Sequence, residues 1–65
     1  MDKARELNYR YNMCCDTIDT CCFYIVMGTN VERNQKINSD LQAEIDKIRA
    51  EAEQLGIELV RREKQ

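Results

Sequence analysis

Apolar residues between positions 39 and 60 fall at alternating intervals of four and three: Leu41, Ile45, Ile48, Ala52, Leu55 and Leu59. That spacing keeps one stripe of a helix turned toward a neighbour, which is the seam of a coiled coil or helical bundle. Ser39 followed three residues later by Gln42 has the form of a capping box, so a helix is predicted over about 39–61. A second stripe, Leu7, Tyr11, Cys14, Ile18, Cys21 and Ile25, repeats the same interval and predicts a helix over about 2–27. Asp2 stands near its cap, and Glu6 supplies an acid in the first turns. This stripe is the weaker one, because Asp16, Thr17, Asp19 and Thr20 are indifferent helix formers and the run from Cys21 to Val26 is rich in residues that prefer strands.

Gly28-Thr29-Asn30 interrupts the pattern, with glycine where a helix C-cap belongs and Thr29 with Glu32 as a further capping box. The polar stretch that follows, containing Asn30, Asn34 and Asn38, places the turn region at about 28–38. Two other frames fit the residues. Extending the second seam backward through Asn38, Asn34, Val31, Met27 and Tyr24 gives one long helix with asparagines in its core. Alternatively, residues 22–27 and 57–61 are strands flanking a helix that ends at Gly56, where Leu55-Gly56-Ile57 matches a Schellman ending. Two strands make no stable sheet by themselves. The leading expectation is an all-α fold, an antiparallel helical hairpin that dimerises into a four-helix bundle or coiled coil, as one domain over 1–65.

Size sharpens the oligomer expectation. A chain of 65 residues hides only about 60% of the surface its unfolded form exposes, so partner helices, metals or disulfides are the usual supplements. The net charge of −2 comes from 12 acidic and 10 basic residues that are mostly interleaved, which leaves no extended cationic face for nucleic acid. Only Arg61, Arg62 and Lys64 cluster, with Glu63 among them, at what the pattern reads as a helix C-terminus, where cations suit the macrodipole. The polar N-terminus carries no secretory signal, and the longest apolar run, residues 21–28, is under half of the roughly 20 residues a membrane span needs. A cytoplasmic protein with reduced thiols is therefore expected.

Candidate chemistry is confined to the cysteines. Cys14 and Cys21 share a helix side but lie two turns apart, about 10 Å, as do Cys15 and Cys22, so one helix cannot close a metal site or a disulfide. Thiols gathered between helices, with Met13 and Met27 beside them, would suit Cu(I); as packing residues, Cys14 and Cys21 simply belong to the seam, and that reading comes first. No cofactor is expected. The chain has no histidine, no glycine-rich phosphate loop and a single serine already assigned as a cap, and Asp16 with Asp19 reads better as a solvated face than as a catalytic pair, so a non-enzyme is expected. Arg5, Tyr9, Asn12, Met13 and Asp16 line the side of the first helix opposite its stripe, and tyrosine, arginine and methionine are enriched in binding hot spots, which makes Arg5, Tyr9 and Met13 the candidates for partner contact. The acidic positions Glu44, Glu51 and Glu58 on the second helix are the next candidates. The function expected is a small protein–protein interaction module, a regulator or inhibitor that binds a macromolecular partner. Proteins of that type include many carried by phages and mobile elements. A thiol-based metal-binding bundle and a structural coiled-coil subunit are the alternatives.

Overall fold

A computed structural model describes residues 2–62. Two helices of 25 residues each, α1 (Lys3–Met27) and α2 (Val31–Leu55), pack against each other as a hairpin. Asp2 caps α1 as its position suggests, its side chain accepting from the Ala4 amide at 3.2 Å. Gly28 ends the helix in the left-handed region, φ 75°. Its N–H donates to the Ile25 carbonyl and the Thr29 N–H to that of Tyr24, the paired bonds of a Schellman motif.

The turn is shorter than the predicted 28–38. It consists of Gly28, Thr29 and Asn30, and α2 starts at Val31, eight residues before Ser39. Glu32, Arg33, Gln35 and Lys36 are good helix formers, and Val31, Asn34, Ile37 and Asn38 are half-buried beside Leu41, so the inward stripe of α2 runs back to its first residue. Ser39 is then a solvent-facing residue within the helix, not its cap. Asn30 occupies the cap position at φ 46° and makes no side-chain cap bond. Asn34 binds the turn from inside α2 instead, donating to the Thr29 and Asn30 carbonyls at 3.1 and 3.0 Å.

The other end of α2 also departs from the predicted 39–61. Gly56, at φ 66°, stops the helix with a second Schellman pair, Gly56 N–H to the Glu53 carbonyl and Ile57 N–H to that of Ala52. Residues 57–62 leave as an irregular tail, so Leu59 reaches the core from outside the helix. Along the tail Ile57, Leu59 and Arg61 are half-buried and Glu58, Val60 and Arg62 exposed, the alternation of an extended segment lying on a surface.

Leu7, Cys14, Ile45, Ile48 and Ala52 form the core, and Tyr11, Cys15, Ile18, Leu41, Ile57 and Leu59 pack around it. The α2 seam therefore faces α1 of its own chain. Leu55, on the last turn, is more than half exposed. Salt bridges set the register: Lys3 meets Glu51 at 2.8 Å and Arg10 meets Glu44 at 2.7 Å, so seven residues forward on α1 match seven backward on α2. Glu44 and Glu51 thus face α1 and are not an outer acidic surface. These side chains are more than a third exposed, so water screens the pairs and their main contribution is to orientation.

A main-chain clamp on helix α1

Asn8 and Asn12 sit one helical turn apart on the flank of α1, and each side-chain amide engages the tail from both of its ends. The Asn8 Oδ1 accepts from the Val60 N–H at 2.7 Å while its Nδ2 donates to the Glu58 carbonyl at 3.2 Å. Asn12 repeats the arrangement two residues further along: Oδ1 accepts from the Arg62 N–H at 2.6 Å and Nδ2 donates to the Val60 carbonyl at 2.9 Å. A primary amide offers the same donor and acceptor as a peptide group, so the two asparagines act on the tail as an adjacent β-strand would. Periodicity explains why two of them fit: four residues of helix advance about 6 Å, and two residues of extended chain advance about 6.6 Å.

Each amide has a second N–H, and it is used to fix the side chain. Asn8 Nδ2 also donates to the Ala4 carbonyl at 2.9 Å, and Asn12 Nδ2 to the Asn8 carbonyl at 2.8 Å. The rotamers are thereby tied to the helix, leaving one donor and one acceptor aimed outward. Asn12 is the one buried polar residue among the described positions, and its amide group is engaged on both atoms.

One turn further on, Asp16 and Asp19 receive the Arg61 guanidinium, each at 2.9 Å, and Asn12 Oδ1 accepts a weaker bond from Arg61 at 3.3 Å. Hydrogen bonding to Asp16, reinforced by its charge, raises the Arg61 pKa further above its ordinary value, so the tail presents a permanent cation to this fork. The aspartate pair thus belongs to a docking site and does not lie on a bare solvated face. Arg61 and Arg62 are not at a helix end, since the helix has already stopped at Leu55; Glu63 and Lys64 lie outside the described residues.

The cysteines are free thiols in unlike surroundings. Cys14 and Cys21 are buried, Cys15 is half-buried, and Cys22 is exposed with Asn38 Nδ2 at 3.9 Å from its sulfur. Among the described residues no three of His, Cys, Asp and Glu gather in a way that could hold a metal ion. Burial pushes the Cys14 thiol pKa up, Glu44 and Cys15 push the same way, and Arg10 opposes them. Alkylation with iodoacetamide under native conditions is expected to modify Cys22 first and the buried Cys14 and Cys21 last, those two reacting only as fast as the chain opens; equal rates at Cys22 and Cys14 would contradict the burial. The raised folded-state pKa also sets a direction with pH. The contribution of Cys14 to stability is complete below the unfolded thiol range and is lost as pH rises through the folded value.

Arg5, Tyr9 and Met13 are all exposed, as their placement opposite the Leu7 stripe predicts, whereas Asn12 and Asp16, expected on the same outward row, are buried and half-buried because the tail lies against them. Asn8, Asn12 and Arg61 carry no motif that sequence reading recognises; a polar pair at four-residue spacing on a helix flank is the only trace. No helix among the described residues is long and apolar enough to cross a membrane. Compared with known protein families, curated proteins and solved structures, the chain matches no family model, no curated protein and no solved structure.

Proposed function

We propose that the protein is a non-enzymatic interaction module, a regulator or inhibitor that binds a macromolecular partner, and that it self-associates through the outer face of α1. The observation that carries the second part is a row of large apolar side chains turned away from the core. Tyr9, Met13, Phe23 and Met27 are each between 51% and 64% exposed, and Val26 beside them is 85% exposed. Side chains of this size left in water along one helix face favour burial against another chain. The remaining positions of the row, Asp16 and Thr20, complete the intervals four, three, four, three, four from Tyr9 to Met27.

A second copy suits this face because the row matches itself when reversed. With two α1 helices antiparallel and crossing at Ile18, Tyr9 meets Met27, Met13 meets Phe23 and Asp16 meets Thr20, each contact occurring twice as a two-fold interface requires. Two hairpins joined in this way make a four-helix arrangement in which the Ile48 seam stays internal to each chain. Arg5 is exposed at the N-terminal edge of the same face.

Sedimentation of the wild type at micromolar concentration is expected to give a dimer, and Met13→Asp with Phe23→Asp a monomer of unchanged helix content. An exposed substitution away from structural features shifts stability by no more than about 0.5 kcal/mol, so a fall in melting temperature beyond loss of the dimer would count against the assignment. A wild type that sediments as a monomer throughout would refute self-association by this face.

A further inference from the structure

We propose that the flank of α1 bearing Asn8, Asn12, Asp16 and Asp19 is a peptide-binding site, and that its ligand is an extended segment of a partner protein with the pattern aliphatic-x-aliphatic-x-Arg. The chain's own tail, Ile57-Glu58-Leu59-Val60-Arg61, carries that pattern and occupies the site in cis. The inference rests on the reading that the protein binds a macromolecular partner, and of the row on the outer face of α1 it uses Asp16 alone.

Three properties separate this site from ordinary packing of a chain end. The contacts to the tail's main chain come from side-chain amides, so they accept any extended segment in the right register. Selection is left to the half-buried positions of Ile57 and Leu59 and to the aspartate fork around Arg61, where a guanidinium is favoured over a neutral group. Extended peptides captured by main-chain bonds with alternate side chains in pockets are a recurrent recognition mode.

The second property is preorganisation. Asn8 and Asn12 keep their bonds to the Ala4 and Asn8 carbonyls whether or not the tail is present, because those bonds lie within the helix. Their outward donors and acceptors are therefore already aimed, which reduces the entropy lost when a ligand docks.

The third is the weak attachment of the present occupant. The tail leaves α2 at Gly56, has no regular secondary structure, and is held at Arg61 by ion pairs of which the Asp19 side chain is 66% exposed. Such a segment belongs to the part of a fold that opens at low cost, and its departure uncovers the site and the edge of the core that Ile57 and Leu59 cover, while the contacts between α1 and α2 stay in place. The tail is thus a cis competitor that a matching partner segment displaces.

The test uses the full chain and a fluorescein-labelled peptide, Gly-Ile-Glu-Leu-Val-Arg-Arg, with a scrambled peptide as control. Leu59→Asp with Arg61→Asp weakens the cis tail and leaves the α1 residues intact; this variant should bind the peptide at least tenfold more tightly than the wild type, and a further Asn12→Ala change should remove the gain. Asp16→Lys with Asp19→Lys should reverse the preference toward a peptide carrying glutamate at the position of Arg61. Should the tail variant lose its helical spectrum, the wild type with excess peptide answers the same question through shifts of the Asn8 and Asn12 side-chain amide resonances. No binding above the scrambled control, binding that ignores Asn12, or exchange of tails between copies without capture of free peptide would each overturn the proposal. Sedimentation of the same samples reports on self-association separately, so failure of one leaves the other legible.

Discussion

Replacing Ile48 by Asp is expected to unfold the chain. Ile48 and Leu7 are the two largest side chains with no exposed surface, and both belong to the core cluster between α1 and α2. Truncating a buried isoleucine to alanine already costs about 2–5 kcal/mol, and a carboxylate in the same place must either be buried without a partner or force the helices apart. Folded proteins hold about 0.05–0.15 kcal/mol of stability per residue, hence about 3–10 kcal/mol for a chain of this length. The substitution therefore removes most or all of what is available. Far-UV circular dichroism should show loss of helix in both α1 and α2, because neither has another face on which to bury its stripe. Ile48→Val, costing about 0.5–1.5 kcal/mol, should remain folded with a lower melting temperature. A fully helical Ile48→Asp chain would mean that this contact is not the core.

Asn12→Ala should release the tail and leave the hairpin standing. The substitution removes the acceptor for the Arg62 N–H and the donor to the Val60 carbonyl, together with a contact to Arg61. Loss of one partner from a buried hydrogen-bonded set costs about 1–3 kcal/mol. In a domain of this size each kcal/mol moves the melting temperature by about 4–8 °C. Hydrogen exchange provides the sharper reading. The Arg62 and Val60 amides, which the asparagines protect, should exchange at close to unfolded rates, while amides at Ala52 and Ile48 stay protected. Uniform loss of protection would show that the tail and the core form one cooperative unit. Unchanged protection at Val60 and Arg62 would remove the clamp from the account.

What the residues determined by themselves was local. The 4-3 stripes mark α1 and α2 because apolar side chains at that interval share a helix face, and nothing about the surroundings is needed to see it. Asp2 and Gly28 also act through their own backbone neighbourhoods, a carboxylate beside an orphan amide and a residue without Cβ where φ must be positive, so the bounds of α1 were readable to within a residue. Gly56 was equally readable as a Schellman stop, and it prevails over the apolar periodicity that carries on through Leu59.

The start of α2 was hidden because Ser39-Asp40-Leu41-Gln42 has the form of a cap yet is compatible with a helix interior. Which role it takes depends on whether residues 31–38 find a surface for their half-buried side, and that surface is α1. Docking of the tail belongs to tertiary structure altogether. Asn8 and Val60 are separated by 52 positions, and their bond exists only because the turn at Gly28 and the stop at Gly56 bring the two segments alongside each other. Seen along the chain, Asn8, Asn12, Asp16 and Asp19 are ordinary polar residues on a helix flank. Once residues 57–62 lie across them, their spacing matches that of an extended chain, and four unremarkable side chains become a single binding surface.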